Sequence, residues 1–181
     1  MTTDTTTDTT IGATTGADTT AAPQQSASRM SDPTALVPEL KDIGGWLFRA
    51  TGNHSVPRST IGLVHLRAGQ IVDSTYLTVL HSTGLRKAGE SEERIGAVAA
   101  WRDATCFTDA ERAALALVDA VLLPSPDGER VPDNLYAEAA RHYDPTALTT
   151  LTIAIGQVNF FIPLALIGKP LPGRSPAEQW T

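Results

Sequence analysis

The sequence contains a single cysteine, Cys106, among its 181 residues. One cysteine allows neither an intrachain disulfide nor a Cys-rich metal cage, and we therefore expect a reducing, cytoplasmic location. The sequence also lacks a basic cluster and carries a net charge of -6, which disfavours nucleic acid and anionic membranes as partners. No uninterrupted apolar run has the length needed to cross a bilayer, because polar residues and a proline interrupt the longest apolar-rich stretch, 151–167.

Large apolar side chains are almost missing from the first thirty residues, which consist mainly of Thr, Ala, Asp, Gly and Gln. Such a segment cannot bury enough surface to offset its chain entropy, so residues 1–32 are predicted to form a disordered and dispensable tail. Residues 169–181 contain three prolines and are predicted to be a second tail. The remaining residues, 33–168, suffice for one domain with a hydrophobic core.

Helical signals dominate residues 33–168, and no strand-like alternation of useful length occurs. Ser74 is placed to cap a helix, Gly89 to end it, and Thr108 with Glu111 forms a capping-box pattern. The fold class is therefore predicted to be all-α, with about six to seven helices. The expected helices cover 38–49, 59–71, 74–88, 91–101, 108–123, 132–143 and 145–167.

Four segments together resemble one known family. They are 63–70, 81–95, 99–102 and 107–115, in this order along the chain, and residues 131–133 and 151–159 match the closing segments of the same family. The sequence resembles the carboxymuconolactone decarboxylase and alkylhydroperoxidase D-like family over 38–168. The resemblance implies an all-α helical bundle that assembles into homo-oligomers, most often trimers or hexamers. The stretch 148–167, apolar on more than one face, independently favours a homo-oligomer.

The departures from this family concern its redox site. The resemblance implies a Cys-x-x-Cys pair ahead of the histidine His81 and a glutamate on the preceding helix that relays protons to it. Ser74 and Leu77 stand at the two cysteine positions, and Gly62 stands at the glutamate position. A thiol peroxidase needs one thiolate to attack the peroxide and a second thiol to resolve the sulfenic acid. The sequence therefore predicts a family member without thiol peroxidase activity.

Ser74, Leu77 and His81 share one face of the expected helix, because Ser74 precedes His81 by seven residues and Leu77 precedes it by four. Two interpretations of Ser74 stay open. As a nucleophile activated by His81 it would lie two turns away, about 10 Å along the axis, and would need a bridging group. As an N-cap it would only begin the helix. Cys106 has no Cys or His near it in sequence, which favours a structural thiol.

His65 and Arg67 lie on the preceding expected helix. With Asp73, Tyr76 and His81 they either line a polar pocket at the former redox site or are scattered polar residues on amphipathic helices. In a pocket, Arg67 would anchor a carboxylate, and the two histidines would titrate near neutral pH if they lie close together. Asp73 is the only third ligand available for a two-histidine metal site, and its spacing is not typical. We expect no bound metal and no cofactor.

Three functions remain open at this point. The chain could be a non-redox relic that binds a small molecule. It could be a decarboxylase or lactone-processing enzyme that uses His65, Arg67 and His81 on a small carboxylate. It could also have a purely structural role with a closed pocket. An open cavity at the former redox site favours the first two, whereas a cavity filled by Leu77 and its neighbours favours the third.

Overall fold

The computed structural model describes Met1 and residues 28–125 and 128–174, and this part of the chain is helical without any strand. The all-α prediction is confirmed. The described residues form eight α-helices and one 3-10 turn, Val98–Ala100. The helices are α1 (Pro33–Leu36), α2 (Glu39–Ala50), α3 (Arg58–Ile71), α4 (Thr75–Lys87), α5 (Glu92–Ala97), α6 (Asp109–Leu122), α7 (Asp133–His142) and α8 (Pro145–Gly168). The seven expected helices match α2 to α8, and the short α1 is additional.

Short polar side chains fix where these helices begin. The Ser74 hydroxyl accepts a hydrogen bond from the Leu77 amide at the start of α4, so its interpretation as an N-cap is confirmed. Thr108 and Glu111 form both hydrogen bonds of the capping box at the start of α6. Asp144 accepts from an amide in the first turn of α8. Each cap satisfies an amide that has no partner inside its own helix.

The central helix is α3, which packs against α4, α6 and α8. One side of α3 joins a core cluster with α6, α7 and α8 through Ile61, Val64 and Ala68. The other side joins a second cluster with α4, α5 and α6 through Leu63 and Leu66. Because α3 is buried from two directions, neighbours on both sides pack against its side chains.

The longest helix, α8, is buried on one face and exposed on the other. Its buried face includes Leu151, Ala154 and Val158, which belong to the main core cluster. Phe160 and Ile167 are 41% and 65% exposed on its outer face. No Asp, Glu, Lys or Arg occurs between residues 145 and 168. By length and composition alone α8 could cross a membrane, but its inner face is part of the core of this helical domain.

The beginning and the end of the domain meet. The Arg29 amide and the Ser28 hydroxyl both donate hydrogen bonds to the Gly168 carbonyl at the end of α8, over 2.8 and 2.9 Å. The Met30 side chain packs on Gly168. Residues 28–30, which belong to the predicted tail, therefore contact the end of α8. The rest of that tail, 2–27, and residues 175–181 of the second tail lie outside the described residues.

Candidate functional site

A cavity of about 620 Å³ opens between α1, α2, α3, α4 and α8. Most of its wall is apolar, and the larger apolar side chains are Leu40, Phe48, Leu77, Leu80, Phe161 and Leu164. The α4 residues at i and i+4 spacing and the α8 residues at i, i+3 and i+4 spacing face it because this spacing places side chains on one side of a helix. Leu77 and His81, two positions of the redox site that the resemblance implies, both line this cavity.

Two histidines stand in the cavity wall. His65 comes from α3 and His81 from α4, and their ring centroids are 5.1 Å apart with the planes tilted by 58°. The close packing of α3 against α4 brings them together although sixteen residues separate them in the sequence. The two rings therefore lie side by side in the wall of the same cavity.

The protonation of His65 is fixed by its surroundings. Its Nε2 lies 3.0 Å from the carbonyl oxygen of Ala154 on α8. A carbonyl oxygen can only accept, so Nε2 carries the hydrogen and donates it, and Nδ1 is left as an acceptor when the ring is neutral. His65 thereby ties α3 to α8 next to the cavity.

Both imidazoles are uncharged near neutral pH. Burial lowers the pKa of His65 from 6.5 to about 4, although the hydrogen bond to Ala154 opposes this shift. Burial lowers the pKa of His81 to about 3, with a further contribution from the charge that His65 would carry. The titration near neutral pH expected from proximity is therefore wrong, because loss of hydration disfavours the charged ring.

Structural residues occupy the two positions at which the resemblance implies thiols. Ser74 is buried and uses its hydroxyl as the cap of α4. Leu77 is buried against Ile162 and Ala165 of α8 and lines the cavity without filling it. Ser74 is not part of the cavity wall, so the structure does not bring it together with His81 as a nucleophile and base.

Gly62, at the position of the family's relay glutamate, is a packing residue. A Cβ atom at this position would lie 2.6 Å from Cδ2 of Leu85, a core residue of α4. Any larger side chain would force α4 away from α3 or displace Leu85 from the core.

The structure does not bring Arg67 to the histidine pair. Its Nε and Nη2 donate to the two carboxylate oxygens of Asp119 on α6, over 2.6 and 3.3 Å. Trp101 and Arg102 also bind the Asp119 carboxylate, which is 2% exposed. Because residues 65 and 67 differ by about 200° around a helix, their side chains leave α3 in nearly opposite directions. Arg67 therefore holds a buried carboxylate of the protein itself.

Of the remaining predicted residues, Tyr76 lines the cavity and Asp73 does not. Asp73 is exposed in the turn between α3 and α4, with a φ of 51°. Sequence reasoning missed Gln157 of α8, which accepts a hydrogen bond from Thr51, and the wall contributed by Pro33 and Thr34. The i, i+4 and i+7 spacing of residues 157, 161 and 164 on α8 could have indicated one common face.

The sequence profile of the carboxymuconolactone decarboxylase family matches residues 43–120. The uncharacterized protein YdfG of Bacillus subtilis (strain 168) is 33% identical over 125 residues, which are 68% of this chain and 83% of that protein. The uncharacterized protein YnjA of Escherichia coli (strain K12) is 37% identical over 122 residues, which are 64% of this chain and 60% of that protein. This match therefore spans only part of YnjA.

Two solved structures have the same fold. The Agrobacterium tumefaciens protein ATU0492 superposes with a TM-score of 0.73 at 24% identity. Its function is unknown, and it has been related to the antioxidant defence protein AhpD. The match covers 82% of this chain and 99% of that one. The debrominase Bmp8, in complex with 2,3,4-tribromopyrrole, superposes with a TM-score of 0.68 at 17% identity. That match covers 81% of this chain and 77% of that one. At these identities the likeness concerns the fold.

Proposed function

The chain belongs to the carboxymuconolactone decarboxylase family, and from that premise we propose that it is a member without thiol chemistry whose cavity binds a small, mainly apolar molecule. The observation that carries this proposal is the open cavity of about 620 Å³ with the paired His65 and His81 in its wall. Leu77 lines this space and leaves it open, which counts against a closed site with a purely structural role.

The absence of thiols at the site supports the first half of the proposal. Positions 74 and 77 are a helix cap and a core residue. The only thiol of the chain, Cys106, lies between the 3-10 turn and α6, where it packs against the second core cluster and not against the cavity. Peroxide reduction by the family's route needs two thiols in reach of each other. A non-thiol role is the consistent alternative.

The position of Arg67 argues against a small carboxylate as the ligand. A carboxylate substrate needs a cation, and the natural candidate was Arg67. Its guanidinium instead engages Asp119, on a different side of α3 from the cavity. The hypothesis of a decarboxylase or lactone-processing enzyme that acts on a small carboxylate therefore has no support from Arg67.

His81 is better suited to hydrogen bonding than to proton removal. A general base works best when its pKa lies close to the working pH. The pKa of His81 is about 3 because the ring is buried, so its neutral form predominates and is a weak base. We assign to His81 the role of orienting the bound molecule.

Ligand screening with a matched pair of cavity variants tests the binding proposal. Small neutral aromatics and lactones would be screened by thermal shift, and their affinities measured by calorimetry. Leu164→Trp places an indole in the cavity and should abolish binding, because Leu164 lines it. Leu166→Trp adds the same ring two residues away on the exposed face and should leave binding unchanged. Equal binding by both variants would contradict the assigned site.

A peroxidase assay tests the absence of thiol chemistry. Peroxide consumption would be followed with a dithiol donor, and we expect none above the rate without enzyme. The Cys106→Ala variant is the control for an incidental thiol. Dithiol-dependent turnover that persists in this variant would refute the proposal, because no other cysteine exists in the chain.

A further inference from the structure

We infer that the ligand is an uncharged, ring-sized molecule of the phenol class, whose single weakly acidic hydroxyl donates a hydrogen bond to His81. This inference rests on the proposed function and adds the chemical class of the ligand. It is carried by three properties of the described cavity wall, namely its charge, its polar groups that have no protein partner, and its size and lining.

The cavity wall favours an uncharged ligand. Among the described residues that line it there is no Asp, Glu, Lys or Arg. The two histidines do not supply a positive charge near neutral pH, because burial holds both pKa values far below it. An anion entering this cavity would lose its hydration and gain no opposite charge, which is strongly unfavourable. The cavity therefore selects against carboxylates.

The polar groups of the wall favour a hydroxyl. The hydrogen of His65 Nε2 is already donated to Ala154. Among the residues that the structure describes, none forms a hydrogen bond with the His81 ring or with the Tyr76 hydroxyl, and both side chains line the cavity. A neutral imidazole always offers one acceptor nitrogen, and a phenolic hydroxyl both donates and accepts. A ligand hydroxyl can therefore satisfy His81 as a donor, and its oxygen remains able to accept.

The size and lining of the cavity favour an aromatic body. Its volume of about 620 Å³ lies within the range of pockets that enclose small organic ligands. Phe48 of α2 and Phe161 of α8 both contribute rings to the wall. Aromatic side chains contact a flat ring through stacked or edge-on arrangements that an extended alkyl chain does not make. A substituted phenol can thus place its hydroxyl at His81 and its ring against the apolar part of the cavity wall.

Three probes of similar size test the inference on the full-length protein. para-Nitrophenol has the hydroxyl, para-nitroanisole replaces its hydrogen by a methyl group, and para-nitrobenzoate is an anion. We expect para-nitrophenol to bind roughly 3- to 10-fold more tightly than para-nitroanisole, the range that one hydrogen bond provides. We expect para-nitrobenzoate to bind at least about 100-fold more weakly than para-nitrophenol, because its charge would be buried unpaired. Bound para-nitrophenol should keep the absorption spectrum of its neutral form at a pH where the free molecule is partly ionised.

Two variants test whether His81 causes the preference for para-nitrophenol over para-nitroanisole. His81→Phe keeps a ring in the wall and removes the acceptor, so it should abolish the preference for para-nitrophenol over para-nitroanisole. Leu166→Trp, outside the cavity, should preserve that preference. A preference unchanged in His81→Phe would overturn the assignment to His81.

The possible failures are distinguishable. If para-nitroanisole binds as tightly as para-nitrophenol, if the bound phenol is ionised, or if para-nitrobenzoate binds best, the ligand class is wrong while the cavity remains a binding site. If none of the probes binds and the broader screen of neutral molecules also finds no ligand, the proposed function itself fails and the inference fails with it.

Discussion

Acidification should destabilise this protein through His65 and His81 before most carboxylates begin to protonate. The pKa of each histidine is lower in the folded protein than in the unfolded chain, falling from 6.5 to about 4 and about 3. Between pH 6.5 and these folded values the unfolded chain binds protons that the folded protein does not. The free energy of unfolding is therefore fully retained above pH 6.5 and decreases as the pH falls.

The size of the effect follows from the two shifts. Integrating the proton uptake from about pH 7 to about pH 5 gives a loss of about 2 kcal/mol for each histidine, if the two titrate independently. The sum, about 4 kcal/mol, is a large part of the 5 to 15 kcal/mol that stabilises a typical domain. His65 and His81 are in contact, so the two contributions belong to the pair as a whole.

Urea unfolding at several pH values, followed by far-UV circular dichroism, measures this loss. His81→Phe should show roughly half of the wild-type pH dependence, because only His65 then titrates. Tyr76→Phe is the matched control, since it alters the same cavity wall and burial raises the pKa of Tyr76 further above this range. The ring signals of His65 and His81 in NMR spectra should not titrate above about pH 5 in the folded protein.

Two results would refute the reasoning. One is a free energy of unfolding that does not change between neutral pH and about pH 5, since linkage then requires equal pKa values in both states. The other is a wild-type pH dependence in the His81→Phe variant. Either result would mean that the imidazoles are hydrated in the folded protein, and the argument for an uncharged ligand would lose its electrostatic basis.

Four further predictions concern packing and assembly. Gly69→Ala should lower the free energy of unfolding by about 1 to 3 kcal/mol, measured in urea, because its Cβ would lie 2.9 Å from a side-chain atom of α4. Asp119→Ala should cost about 3 to 5 kcal/mol in the same assay, because it leaves the buried Arg67 charge without its partner, and a neutral effect would refute the structural role of the pair. A chain that begins at Ser28 should melt at the same temperature as the full-length protein, whereas one that begins at residue 31 should melt lower, because it loses both hydrogen bonds to Gly168. Light scattering should give the mass of a homo-oligomer, because the outer face of α8 is apolar and uncharged, and a monomer mass would contradict this prediction.

The helices could be predicted from the sequence because their signals are local. The capping residues and the apolar periodicity placed α2 to α8 within a few residues, and Ser74 and Thr108 act as the caps that they were expected to be. The short α1 was missed, because its four residues are too few for a periodic pattern. Its start signal is nevertheless local, because Asp32 caps it and Pro33 stands at its first position.

The site was only partly predictable, for physical reasons. The resemblance singled out His81, whereas its pairing with His65 was left open and is seen only in the structure. The direction of Arg67 could have been corrected by counting angles around α3, because two residues separate it from His65. The buried Asp119 that binds it lies 52 residues away, beyond the reach of a local argument. The low pKa values could not be predicted either, because burial depends on how α3, α4 and α8 pack together.

The contact between Ser28 and Gly168, like the cavity, joins early and late parts of the chain. The two residues are 140 positions apart, so their contact closes almost the whole domain. Pro33 and Thr34 line one part of the cavity, and α8 lines another. A ribosome completes the first part early and the second part last. A growing chain can therefore assemble much of the α3, α4 and α6 core before it has a place to hold a ligand, and only the finished domain can be stabilised by one.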